Sequence, residues 1–271
     1  MEIGVMFWAG ADPLAAVRQV KALGVRCGQL GIPPDLPLAG AAPLLRTALD
    51  AEKFTVVTVF AAYRGESYAD IPTVQRTVGF IPRGTRHERE ERTLEISDFA
   101  AALGAASIAC HIGFVPEDTG DADYIAVREV VRRVADHAAR NGQTFALETG
   151  QEPAPVLLRF IKDVNRPNLR INFDPANMIL YGTGDPIEAL GVLAPYVISV
   201  HCKDGDWPSS AGVLGAERPL GEGAVGIARF IDKLKEIGYT GTLNIEREVE
   251  DQSQKWRDVA AAVKLLRTLT A

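Results

Sequence analysis

Short β-rich runs alternate with longer helical patterns eight times along this chain, and few architectures accommodate such an alternation. The β-rich runs are Glu2–Trp8, Val25–Gly31, Phe54–Ala62, Ser107–Gly113, Thr144–Glu148, Leu169–Asp174, Val197–Lys203 and Thr242–Glu246. Helical patterns cover Asp12–Leu23, Pro43–Lys53, Arg86–Leu103, Asp121–Asn141, Ala154–Val164, Pro186–Leu193, Ala228–Ile237 and Ser253–Thr270. Shared among eight units, 271 residues come to about 34 each, which predicts a single (β/α)8 TIM barrel domain spanning 1–271. A doubly wound sheet would carry a Gly-rich phosphate turn after its first strand, and Phe7-Trp8-Ala9-Gly10-Ala11-Asp12 is not one.

Punctuation agrees with these boundaries. Asp12-Pro13 suits an N-cap followed by a first-turn proline. Gly24, Gly104, Gly142 and Gly238 each end a helical run where a left-handed C-cap favours glycine. Two connections are longer than a strand-to-helix loop requires, Tyr63–Gly84 and Asp204–Gly223. Both follow strands, on the side where barrel active sites are built, and are expected to wall the site or cover it. Phe60, Tyr63, Phe80 and Trp207 are candidates for such a lid.

Composition narrows the function classes. Hydrophobic residues at 47% and charged residues at 24% are ordinary for a globular chain, and no apolar run approaches the ~20 residues of a membrane span. The first residues, MEIGVMFWAG, read as a strand rather than a signal peptide, and three scattered cysteines suit a reduced setting. A cytoplasmic protein is therefore expected. A formal charge of −6 argues against a nucleic-acid-binding face.

Side chains alternate across a strand, so parity sorts them into helix-facing and interior sets. Phe145 and Leu147 oppose Ala146 and Glu148; Leu169, Ile171 and Phe173 oppose Arg170, Asn172 and Asp174. Ile198, Val200 and Cys202 oppose Ser199, His201 and Lys203; Leu243 and Ile245 oppose Asn244 and Glu246. With the apolar sets against the helices, Glu148, Asp174, His201 and Glu246 converge inside one end of the barrel, joined by His111 from the fourth strand. Three carboxylates and an imidazole gathered in a partly dry space repel and resist ionisation, and a divalent cation resolves the conflict. The donor set suits Mn²⁺ first, with Mg²⁺ or Co²⁺ as alternatives. The competing reading is a set of buried ion pairs with Arg170, Lys203 or Arg247.

At these residues the sequence resembles the xylose isomerase-like barrel superfamily of sugar isomerases and epimerases. The resemblance is carried by Ala146-Leu-Glu-Thr-Gly-Gln-Glu152, Asn172-Phe-Asp-Pro-Ala-Asn177, His201-Cys-Lys-Asp204, Pro219-Leu-Gly-Glu-Gly223 and Asn244-Ile-Glu-Arg-Glu248. It implies Glu148, Asp174, His201 and Glu246 as ligands of one metal ion, and Glu148 and Glu246 as the groups exchanging protons with substrate. The implied activity is sugar isomerisation or epimerisation of a ketose or keto-sugar through a metal-stabilised enediolate. The same site could run a β-elimination on a keto-inositol or 3-keto-glycoside, and a third reading is a barrel that binds carbohydrate or a partner without turnover. A homodimer or homotetramer is also implied.

This sequence departs from free-ketose members of the family, which often place histidine where Asn177 stands. The family's DNA-repair endonucleases need many histidines, and only His87, His111, His137 and His201 exist here. His111, Lys203, Asn177, Glu152 and Trp8 are candidate substrate contacts. All but Asn177 have a bland alternative: a core histidine for His111, pairing with Asp204 for Lys203, a helix cap for Glu152, core filling for Trp8. The Glu88–Glu95 run with Arg86, Arg89 and Arg92 reads as a solvated helix face.

Overall fold

The computed structural model describes residues Met1–Ala271. Its strands are β1 (Glu2–Trp8), β2 (Cys27–Ile32), β3 (Thr55–Ala61), β4 (Ser107–Cys110), β5 (Thr144–Glu148), β6 (Leu169–Phe173), β7 (Val197–Cys202), β8 (Asp204–Gly205), β9 (Glu217–Arg218) and β10 (Thr242–Ile245). The helices are α1 (Pro13–Lys21), α2 (Ala41–Glu52), α3 (Ile71–Thr77), α4 (Arg86–Leu103), α5 (Ala122–Arg140), α6 (Ala154–Val164), α7 (Pro175–Tyr181), α8 (Pro186–Leu193), α9 (Ile227–Glu236) and α10 (Gln252–Thr270). Eight strands close into a parallel barrel in the order β1-β10-β7-β6-β5-β4-β3-β2, while β8 and β9 form a separate antiparallel pair. The expected (β/α)8 architecture is the one observed. No helix is long and apolar enough to cross a membrane.

The helix-facing sets predicted by parity, such as Phe145, Leu147, Ile171, Phe173 and Val200, are buried between sheet and helices in one large apolar core. Phe173 stacks on Phe230 of α9 with ring centroids 6.0 Å apart. Inside the barrel a small apolar layer of Met6, Phe60, Ala109 and Ala146 underlies the polar residues. The local punctuation is realised: Asp12 accepts the Ala15 N–H at 2.9 Å, and Gly24, Gly104, Gly142 and Gly238 all have positive φ.

Three expectations need correction. Ile198 is not on the helix-facing side of β7. The β6–β7 ladder shifts register so that Ile171 pairs with Val197 but Asn172 with Ser199, and Ile198 packs against the interior layer. A one-residue shift turns a side chain to the other face, and the inward set resumes at Ser199. Arg89 is not on a solvated face; it is buried, donating to the carbonyls of Thr77, Gly79 and Arg64, so α4 holds down the long connection after β3. Tyr63 and Phe80 are core rather than lid, packed together at 5.8 Å, with the Tyr63 hydroxyl bonded to Thr93. The two long connections contain short elements, α3 in the first and the β8–β9 pair in the second, tied by Ile71 N–H to Gly212 O at 3.2 Å.

Candidate metal centre and substrate cavity

The four expected ligands meet at the carboxyl end of the barrel. Glu148 ends β5, Asp174 follows β6, His201 lies in β7 and Glu246 follows β10. One donor atom from each lies within 4.8 Å of the other three. Asp174 owes its place to Pro175, which starts α7 in the conformation a first helical turn needs. As N-cap, Asp174 spends Oδ1 on the Asn177 N–H at 2.9 Å and has its backbone locked by Thr149, leaving Oδ2 to face inward.

His201 is fully buried, with Phe60 tilted against it. Its Nδ1 lies 2.9 Å from Glu148 Oε1, 3.1 Å from Glu246 Oε2 and 3.4 Å from Asp174 Oδ2. Neither His201 Nδ1 nor Asp174 Oδ2 has a hydrogen-bond partner, although both are buried. Burial disfavours the imidazolium, yet the Glu246 and Glu148 carboxylates outweigh it and raise the His201 pKa. A proton on Nδ1 could serve only one of three acids. A divalent cation would engage all four donors at once, so the donor chemistry and the two orphaned atoms fit a metal ion.

Each oxygen of Glu148 has its own neighbour set. Oε2 lies 2.8 Å from His111 Nε2, and Oε1 accepts from Asn177 Nδ2 at 3.2 Å. Gly150 makes this approach of Asn177 possible, since a Cβ there would lie 2.4 Å from that of Asn177. Burial would raise the Glu148 pKa, but the charges of His111 and His201 more than offset it and hold it low. Burial lowers that of His111 while Glu148 raises it, with a net rise to about 9. Lys203 is buried between Glu246 at 3.1 Å and Glu248 at 2.5 Å. It does not pair with Asp204, whose carboxylate instead accepts the N–H groups of Gly205, Gly221 and Val225 and shapes the β8–β9 connection. Of the three cations in the competing reading only Lys203 reaches the cluster, through Glu246 and, at 3.9 Å, Asp174; Arg170 bonds its neighbour's carbonyl, and Arg247 pairs with Glu217 and Asp258.

A cavity of about 610 Å³ opens above this cluster. Trp8, Phe60, His111, Glu148, Asn177, Lys203 and Glu246 line it. Trp8 is partly exposed at its rim and lies over Gly31, where a Cβ would come within 2.6 Å of the indole. Glu152 is elsewhere. It is buried behind the wall, accepting the Val115 N–H at 2.8 Å and so joining the connection after β4 to the one after β5; it caps no helix. Trp207 is exposed and outside the lining.

Sequence reading missed Glu66, Tyr68, Tyr181, Leu214, Glu217 and Glu248 in the lining. They come from connections or from α7, where no period-two signal exists. It also missed Gln29 beneath the cluster, although a polar residue sharing parity with Cys27 and Gly31 in an apolar strand was a visible cue.

A parallel eight-stranded barrel with an acidic, imidazole-bearing cluster at its carboxyl end defines a class of metal-capable barrels. The chain belongs to the xylose isomerase-like TIM barrel family, whose model matches residues 17–269. It is similar to the crystal structure of a xylose isomerase domain protein from Planctomyces limnophilus, with 46% identity, a TM-score of 0.94, and 99% of this chain and 96% of that one covered. It also resembles the 3-keto-D-glucoside 4-epimerase YcjR of E. coli, with 18% identity, a TM-score of 0.72, and 98% and 99% of the two chains covered, a likeness of fold. Among curated proteins it is 27% identical over 161 residues to the uncharacterized protein MJ1311 of Methanocaldococcus jannaschii, matching 55% of this chain and only 53% of that relative.

Proposed function

We propose that the protein is a divalent-metal-dependent isomerase or epimerase of a small ketose or keto-sugar, with Glu148, Asp174, His201 and Glu246 holding the ion. The observation that carries this reading is the convergence of four donors in which His201 Nδ1 and Asp174 Oδ2 are buried without partners. Bound there, a divalent cation supplies Lewis acidity to a substrate carbonyl, Mn²⁺ being the ion we favour. The protein's own part is proton handling. Glu148 and Glu246 rise from β5 and from the end of β10, three strands apart around the barrel, and so reach a substrate carbon from different sides. Glu148 can take a proton from carbon while His111, on its second oxygen, steadies the charge; Glu246, beside Lys203, can return one. Lys203, His111 and Asn177 present N–H groups to substrate oxygens, and Trp8 offers an apolar face to a sugar ring.

The substrate we favour carries no phosphate. Glu66, Glu148, Glu217, Glu246, Glu248 and Glu250 line the cavity against one lysine and one histidine, with no arginine to clasp a phosphate.

The test is Mn²⁺-supplemented protein against ketoses, inososes and 3-keto-glycosides in D₂O, read by NMR. Deuterium entering a carbon position without loss of water is the expected result. An unsaturated product would replace this reading with the β-elimination, and no exchange into any substrate would overturn it.

A further inference from the structure

Beneath the candidate metal centre a hydrogen-bonded network of polar side chains links three strands of the barrel, β2, β6 and β7. Gln29 of β2 is completely buried, and its Oε1 lies 2.6 Å from His201 Nε2. Its Nε2 donates to Asn172 Oδ1 at 2.8 Å, and the same Asn172 oxygen accepts the Ser199 hydroxyl at 2.5 Å. With its NH₂ directed at Asn172, Gln29 has only its oxygen to offer the imidazole, so the His201 proton sits on Nε2. In the neutral imidazole, the form a metal ion would bind, that leaves Nδ1 bare, and Nδ1 is the atom aimed at Glu148, Asp174 and Glu246. Reversing both amides would put the proton on Nδ1, against the acids. The direction of this relay therefore decides whether His201 offers the centre a lone pair or a proton.

We infer that Gln29 is a positioning residue that fixes the His201 tautomer and orientation and thereby sets the affinity of the centre for a divalent cation. The inference rests on the metal-binding reading above. Gln29 lies under the imidazole, on the side away from the carboxylates, and is absent from the cavity lining, so it acts through His201 and not on substrate. A metal-bound histidine typically needs its other N–H held in this way, and loss of the acceptor costs affinity or activity.

Mn²⁺ binding, followed by the EPR signal of free Mn²⁺, tests this on wild type, Gln29→Met and Gln29→Glu. Gln29→Met keeps the volume but removes the acceptor, and should weaken binding by roughly 10- to 100-fold. Gln29→Glu keeps an acceptor and makes it charged, and Asn172 can turn its unpartnered Nδ2 towards it, so affinity should stay at or above that of wild type. In Mg²⁺-saturated, ¹⁵N-labelled protein, which has four histidines, a His201 Nε2–H resonance protected from exchange should be present in wild type and lost in Gln29→Met. A folded Gln29→Met binding Mn²⁺ within twofold of wild type would overturn the inference, as would a Glu variant as weak as the Met variant. Wild type that binds no Mn²⁺ would overturn the metal reading together with this one, which separates the two failures.

Discussion

Glu148 has both carboxylate oxygens engaged, one with His111 and one with Asn177 beside the cluster, whereas Glu246 leans on Lys203. Replacing either with Gln keeps shape and removes the proton-carrying group, so turnover should fall at least ~100-fold in each. Deuterium exchange measured at saturating Mn²⁺ separates this from lost metal, and substantial exchange surviving in both variants would remove them from proton transfer. Glu152 makes a prediction of a different kind. Burial pushes its carboxyl up from the usual 4.5 to about 7, against the Val115 N–H, which lowers it. Between those values the folded chain keeps a proton that the unfolded chain releases. The associated stability is therefore complete below about 4.5 and is lost as pH rises through about 7, amounting to about 3 kcal/mol. Unfolding midpoints at pH 5 and pH 8 should differ less in Glu152→Gln than in wild type; equal differences would sink this assignment. At this scale the four candidate donors were legible because each ends an apolar-patterned strand with an ionisable group. Glu152 was not, because its partner, the Val115 amide, is 37 residues away.

The elements position these groups through two devices, strand parity and helix starts. Parity read correctly along β5, β6 and β10 because a face that meets helices must be apolar. It failed at Ile198, since a bulge is set by how β6 and β7 pair and leaves no mark in composition. The start of α7 was written locally in Asp174-Pro175. Helix α4 shows the opposite case. Its alternating charges look solvated, but Arg89 turns inward because the chain before it, Thr77–Gly79, exposes carbonyls that only a long donor can reach. Arg89→Ala should destabilise the fold by about 2–4 kcal/mol by stranding those carbonyls, and should open the Tyr63–Gly84 connection to proteolysis. Urea denaturation and limited digestion read the two effects; an unchanged midpoint would show that water replaces the guanidinium without loss.

At the scale of the molecule, closing eight strands puts residues 143 and 172 positions apart in the chain into one network, as Gln29, Asn172 and His201 show. The same closure gathers three acids that Lys203 and His201 only partly neutralise, so a bound metal ion should stabilise the whole fold. At a free ion concentration about 100 times its dissociation constant the gain is ~2.7 kcal/mol, worth roughly 5–10 °C in midpoint for a chain of this size. Adding a chelator to Mn²⁺-loaded protein should lower the thermal midpoint by that amount, and an unmoved midpoint would contradict a native-state ion. The amino-acid sequence by itself determined the alternation of strands and helices, the inward parity of the acids and their order along the chain, because these follow from local periodicity and from the cost of burying charge. Only the tertiary structure decided which oxygen of each acid faces the centre, that Lys203 joins Glu246 and Glu248 instead of Asp204, and that Gln29 sits under His201, because those pairings depend on barrel closure and register, which no local stretch encodes.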